Sequence, residues 1–372
     1  MNQKSLSQGV LPKKAISYSV DRLFCLDLLK AASILSVVSF HAIFVPRSAY
    51  QDSLFFLDIA SAPLRFCVPV LFTISFLLFE RGIEHSAGQP DWQILKKRIS
   101  RLAIPTLFWF SLAVILKLST GRNSFPDLLL AVANGTIFQG AYYFLVLFQM
   151  MPLLILCRRR FKYRKAVGFI IALQTIIFLL IYFILARANQ FSALLSSLEG
   201  VGRPFLIYWL VYGVLGIYLW QHWSKLVERS RRIPISVKLA FLGVGVLLVL
   251  VERSIFFTIS NGDIPPFDYN LLICILMTPI IFLCAASIKQ EQLPEPVSNC
   301  IMLVSRYSLG IFCINGIASE IFLSVGSRVA SGFTFSLAEI LLIKLIGWTV
   351  LFLLSLRLSI LLDRIGLGAI VR

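Results

Sequence analysis

The sequence predicts an all-α, polytopic membrane protein of about ten transmembrane helices with both termini in the cytoplasm. Three observations predict it. First, 58% of the 372 residues are hydrophobic and the mean hydropathy is +0.85, above the roughly 45–50% apolar share of a soluble domain. Second, apolar runs of about 18–22 residues recur along the chain, each long enough to cross a hydrocarbon core of about 30 Å. Third, the basic residues are confined largely to short loops between those runs. The net charge of +17 would suit a nucleic-acid partner, but this distribution is that of topology determinants, not of a phosphate-binding face. No nucleic-acid partner is expected.

The expected spans are 26–45, 62–79, 102–118, 139–157, 166–186, 204–222, 238–257, 269–288, 301–322 and 335–356. They divide the chain into a cytoplasmic segment 1–25, a transmembrane domain 26–356 and a cytoplasmic tail 357–372. Between the third and fourth spans, FPDLLLAVANGTIFQGA reads as a short re-entrant or interfacial helix. With a cytoplasmic N-terminus, the inside segments hold 25 of the 35 Lys and Arg and the outside segments 7, with Arg65, Arg306 and Lys344 inside spans. This asymmetry follows the positive-inside rule and supports the count of ten. The run RRRFKYRK at 158–165 is the clearest inside anchor, and it also suits anionic lipid headgroups. The opening MNQKSLSQGVLPKK has no apolar core with a cleavage site, so the first span is the expected insertion signal. The seven cysteines lie mostly in apolar segments without CxxC pairing and read as small core residues; no metal site is expected. No internal repeat stands out, which weakens the usual design of a secondary transporter.

Polar residues inside the spans carry the functional signal. In LDLLKAASILSVVSFHA, Lys30 and His41 are eleven residues apart, about 20° from alignment on one helix face and about 16 Å apart in rise. Asp27 lies about 40° from His41 and about 60° from Lys30 on the same helix. Burial of such groups against lipid is costly, so they should face the bundle interior or a water-filled cavity. The plain structural readings are a snorkelling anchor for Lys30 and a helix–helix hydrogen bond for His41. His41 is nonetheless the one histidine placed well within a span, and the candidate for proton transfer near neutral pH.

In LKKRISRLAIPTLFWF, Arg98 and Arg101 share a face at the mouth of the third span, with Lys96 and Lys97 beside them. Two guanidiniums so placed suit a phosphate or pyrophosphate; positive-inside anchoring is the alternative. PLRFCVPVLFTISFLLF carries Arg65, a partner for Asp58 or an anion, and Ser75. GTIFQGAYYFLVLFQMMP carries Tyr142 and Tyr143, which fit an aromatic belt, and Gln149, which needs a partner. VSRYSLGIFCINGIASEIF carries Asn315 near mid-membrane, which should bond a neighbouring helix or a substrate. Glu252 and Arg253 in LVERSIFF fit either an ion-pair network or a sugar site.

Together these stretches resemble acyltransferase family 3, a family of integral membrane proteins. The resemblance rests on Lys30-x10-His41, on Arg98-x-x-Arg101 followed by Pro105, and on SRYSLGIFCINGI at 305–317, in that order along nearly the whole chain. It departs from the family pattern at Ser75, where Phe76 replaces a glycine, and at Asn315, where a histidine is common. It departs again at Tyr142 or Tyr143, where a histidine would stand in the HxYF of polysaccharide acyltransferases. The resemblance implies a stand-alone enzyme of the bacterial inner membrane. It would move an acyl group, usually acetyl, from cytoplasmic acyl-CoA (acetyl-CoA as donor substrate) to a hydroxyl of an extracytoplasmic or lipid-linked glycan. Polysaccharide synthesis or export machinery is the implied partner. In that reading Arg98, Arg101 and Lys30 hold the phosphates of CoA and His41 is the catalytic group, either as general base or as transient acyl carrier. Ser75, Tyr142, Tyr143, Asn315 and Gln149 are the candidates for the substrate or the oxyanion. The rival class is a proton-coupled transporter or lipid-linked glycan flippase with His41 as relay, which explains the paired arginines less well.

Overall fold

The computed structural model describes residues 23–86, 88–121, 124–260, 266–330 and 332–372. Of the expected N-terminal segment 1–25, residues 1–22 therefore lie outside the described residues. Fifteen α-helices are described: α1 (Phe24–Phe40), α2 (Leu54–Ser61), α3 (Cys67–His85), α4 (Asp91–Ser119), α5 (Phe125–Ala133), α6 (Tyr142–Cys157), α7 (Arg164–Ala186), α8 (Ser192–Val201), α9 (Leu210–Gln221), α10 (Trp223–Arg232), α11 (Ile235–Ser260), α12 (Leu272–Ala285), α13 (Glu295–Arg306), α14 (Ser308–Val329) and α15 (Leu337–Arg364). No strand occurs among the described residues. Among the described residues, six helical stretches are long and apolar enough to cross a membrane: Arg47–His85, which merges α2 and α3, then α4, α7, α11, α14 and α15. The remaining four expected spans fall on the shorter helices α1, α6, α9 and α12.

The centre of the bundle is α3 packed on α9. Thr73 ties the two, donating from Oγ1 both to Pro69 O on its own helix (2.9 Å) and to Tyr212 O on α9 (3.2 Å). Around this pair, α1, α6, α12 and α14 complete an apolar interior. The outer helices α7, α11 and α15 leave Leu180, Leu247 and Leu342 exposed. A soluble domain would bury such residues; a bilayer covers them.

Arg65 pairs with Asp58, and the pair belongs to a larger buried chain of charges. Asp58 accepts from Arg65 (2.8 Å) and from Arg253 (2.6 Å), and Asp268 accepts from Arg65 (3.2 Å) and Arg203 (2.9 Å). Glu252 accepts from Tyr182 (2.8 Å) and from the first amides of α12, Leu272 (2.6 Å) and Ile273 (2.9 Å). The two neighbours Glu252 and Arg253 thus satisfy different partners, and neither forms a pair with the other.

Several boundaries differ from the sequence reading. α1 stops at Phe40, and His41 is its C-terminal cap (φ −98°, ψ 5°) rather than a residue inside a helix running to 45. The chain from 42 to 46 is irregular and presses against two other helices. A Cβ at Gly347 would lie 2.1 Å from the Ala42 carbonyl oxygen, and one at Gly326 would lie closer still to that of Phe44. Non-helical backbone at this depth is tolerated because protein encloses it. α4 begins at Asp91, eleven residues before its expected span, since an apolar window measures the hydrocarbon core and not the length of a helix. The ninth span breaks at Tyr307 into α13 and α14. α15 runs to Arg364, and the expected tail folds back: Ile370 accepts from Trp109 Nε1 (2.9 Å) and Val371 from the Gly310 amide (3.1 Å). The expected short helix after the third span is α5, closed by a capping box between Ser124 and Asp127.

Candidate active site

A cavity of about 380 Å³ opens between α1, α3, α4, α6 and α14. Four cations line it: Lys30, Arg98, Arg101 and Arg372. The helical start of α4 at Asp91 is what aims Arg98 and Arg101, three residues apart, into the same space. Pro105, one turn further on, lies in the wall. Whereas Arg65, Arg158, Arg203 and Arg253 are committed to carboxylates, Arg98 and Arg101 have no ion-pair partner among the described residues. Arg372 reaches the cavity from the folded-back tail and is held by Asp363, which also accepts from Tyr307 Oη (2.6 Å). The hydrogen bond from Arg372 to the Asp363 carboxylate holds the guanidinium above its ordinary pKa. Clustered guanidiniums without protein counter-ions, beside an ammonium, suit a polyphosphate.

His41 stands outside this cavity, farther along the same face of α1. Lys30 and Ile34 line the cavity, and His41 lies seven residues beyond Ile34, about 10 Å along the axis. On α14 the wall residues Ser308 and Phe312 are followed on one face by Asn315. His41 Nδ1 and Asn315 Oδ1 are 2.5 Å apart, and the Asn315 amide donates from Nδ2 to Ile311 O (2.7 Å) and Phe312 O (2.8 Å). Those two bonds fix which end of the amide faces the histidine. Only an oxygen is presented to Nδ1, so Nδ1 carries the proton and donates. Nε2 is then left with its lone pair as a proton acceptor. Asn315 is fully buried and both its amide hydrogens are taken, so it presents no donor to a developing oxyanion. Its partner role is orientation of the imidazole.

The family model described as an acyltransferase domain matches residues 23–364. The chain belongs to acyltransferase family 3. No curated protein matches it, and no solved structure does. The family is one of membrane acyltransferases, in keeping with the apolar helices of the bundle.

In this acyltransferase the remaining predicted site residues divide between two places. Ser75 and Tyr143 line the basic cavity and are hydrogen-bonded to each other (2.8 Å), with Tyr143 Oη donating onward to Leu71 O (3.2 Å). Tyr142 turns away from them. It stacks on Trp209 with ring centroids 5.5 Å apart and lines a second cavity of about 250 Å³. Gln149 belongs to neither cavity; it is exposed and donates to Pro204 O (2.9 Å). Asp27 accepts from Ser305 (2.5 Å), tying α1 to α13. The sequence offered no signal for Arg372 as a cavity residue, because a lone arginine after the last span reads as a topology anchor.

Among the described residues no cluster of His, Cys, Asp or Glu could hold a metal ion. The cysteines are unpaired, and five of the seven are buried.

Proposed function

We propose that the protein is an O-acyltransferase of the bacterial inner membrane, with ten spans and both termini cytoplasmic. It takes an acetyl group from cytoplasmic acetyl-CoA to a hydroxyl of an extracytoplasmic or lipid-linked glycan. One observation carries the reading: a cavity lined by four cations shares its α1 and α14 faces with a histidine, outside the cavity, whose neighbour leaves Nε2 free to accept a proton. The CoA phosphates dock on Arg98, Arg101 and Lys30, with Arg372 as a fourth cation. The pantetheine arm follows the wall past Ile34 and Phe312, which supports a thioester near His41.

The chemistry then balances on one imidazole. Nε2 of His41 takes the proton of the acceptor hydroxyl as its oxygen attacks the thioester carbonyl. The C–S bond breaks, the acyl group stays on the acceptor oxygen, and the imidazolium returns its proton to the departing thiolate. The arrangement of Asn315 leaves Nε2 as the sole basic nitrogen, which serves this general-base route and would equally serve a transient acyl carrier.

The test is acetyl-CoA binding to the purified protein in nanodiscs. Arg98→Ala/Arg101→Ala should weaken binding at least about tenfold, the loss of two charge-assisted contacts. Arg372→Ala should weaken it less, and His41→Ala should spare binding while abolishing transfer. Equal binding by the arginine variants, or transfer by His41→Ala, would overturn the proposal.

A further inference from the structure

The second cavity lies at the opposite end of the bundle from the first. Arg98 and Arg101 occupy the early turns of α4; Lys117, nineteen residues and about 28 Å beyond Arg98, pairs with Glu320 (2.9 Å), and Glu320 lines the second cavity. Its wall is unlike the first. Tyr142 supplies a buried aromatic ring stacked on Trp209, Asn134, Thr136 and Gln139 supply neutral polar groups, and Glu199 is an exposed carboxylate. Arg203, also in the wall, sits over the Tyr142 ring at 5.7 Å while paired to Asp268. The two cavities meet back to back. A Cβ at Gly140, in the second wall, would lie 2.7 Å from the ring of Phe312 in the first, and one at Gly316, next to Asn315, would lie 2.3 Å from the Gln139 carbonyl oxygen. The floor of the second cavity is therefore one backbone layer from the residue that orients His41.

Two short helices flank its mouth. α5 ends at Asn134 and α8 at Gly202, and both ends line the cavity. Each helix leaves apolar residues exposed: Phe125, Leu129 and Leu130 on α5, Leu194 and Val201 on α8. Short amphipathic helices at the end of a membrane bundle bed their apolar sides in the bilayer interface. The cavity mouth is then held at the level of lipid headgroups.

The geometry points to this outer cavity as the acceptor site, taking one sugar residue carried on a membrane lipid rather than a polymer free in solution. This rests on the acyltransferase reading above and names its second substrate. Neutral hydrogen-bonding groups and a guanidinium set beside an aromatic wall fit the hydroxyls of a sugar ring. A volume of about 250 Å³, below the usual range of ligand pockets (about 300–1,000 Å³), suits one ring rather than an extended chain. Delivery occurs in the plane of the interface between α5 and α8.

The experiment uses native membranes that contain the protein and its own acceptor, given acetyl-CoA labelled in the acetyl group. The label should enter the organic-solvent extract and be released with a sugar by mild acid. Tyr142→Ala and Thr136→Val should each lower that signal about tenfold, the loss of one ring contact or hydrogen bond. Acetyl-CoA binding should stay within about twofold of wild type. Leu130→Asp/Val201→Asp should lower the lipid-extracted signal with the same binding retained. Label found only in polymer that organic solvent does not extract, or undiminished transfer by Tyr142→Ala, would overturn the assignment. Failure of the wild type to bind acetyl-CoA at all would instead overturn the acyltransferase chemistry on which the assignment rests.

Discussion

Asn315 decides how His41 works. An imidazole alone has two equivalent tautomers, and a base catalyst needs the right nitrogen free. Because the Asn315 amide is clamped by Ile311 O and Phe312 O, its oxygen selects the Nδ1-protonated form. Asn315→Leu keeps the volume and removes the acceptor. Turnover should fall about 10–100-fold, as for other orienting partners, with acetyl-CoA affinity unchanged. In ¹⁵N-histidine spectra the Nδ1–H form of His41 should dominate in wild type and lose its dominance in the variant. An unaltered spectrum with lowered activity would make Asn315 a packing residue only. The importance of this position was legible in the sequence, since a lone Asn at mid-membrane needs a partner. The identity of the partner was not, because 274 residues separate the two. The oxyanion role expected for Asn315 is not supported by the geometry, as both its hydrogens are spent on its own helix.

At the scale of elements, the early end of α1 puts His41 at a helix terminus, where its ring is carried by irregular chain. Hydropathy does not show such a break: Ala42, Ile43, Phe44 and Val45 are as apolar as the helix before them. What decides it lies elsewhere in the chain, in the glycines of α14 and α15 that admit the carbonyls of Phe44 and Ala42. The apolar runs did locate the elements that cross the bundle, because burial in lipid demands continuous helix. They missed α2, α8 and α10 and took only the end of α13 into the ninth span, because short or mixed-polarity helices carry no span signal of their own. Arg98 and Arg101 were legible as a pair because a helix brings i and i+3 together. Gly347→Ala tests the break. Its Cβ would lie 2.1 Å from the Ala42 carbonyl oxygen, and neither helix backbone nor enclosed loop can yield at no cost. Melting in detergent should show a loss of about 1–3 kcal/mol, and transfer should fall further than acetyl-CoA binding, since α4 and its arginines are remote from the clash. Gly168→Ala, on α7 with open space around it, is the control and should change neither.

For the molecule as a whole, charge is arranged differently around its two cavities. Around the first cavity, Arg98 and Arg101 have no ion-pair partner among the described residues, while Arg372 is held by Asp363. Toward the second cavity, the chain Arg253–Asp58–Arg65–Asp268–Arg203 joins α11, the bend before α3, and the segments before α9 and α12 into one block. Asp58 and Asp268 each accept from two guanidiniums, so the loss of either aspartate releases two contacts of the block at once. Asp58→Asn would leave Arg65 and Arg253, both nearly without solvent contact, short of their shared carboxylate. Removing one member of a buried pair costs about 3–5 kcal/mol, which thermal unfolding in nanodiscs would register as a large drop in Tm. Arg253 is also fully buried over the ring of Phe256, at 4.8 Å, so Arg253→Met, which keeps apolar bulk and leaves Asp58 with Arg65, should cost less than Asp58→Asn. If the two variants lost stability equally, the network would be acting through packing alone. In folded Asp58→Asn protein at low temperature, acetyl-CoA binding should persist, because the cations that would hold it lie on α1 and α4 at the far end of the bundle. Parallel loss of acetyl-CoA binding and stability at all temperatures would show instead that the two ends are one cooperative unit.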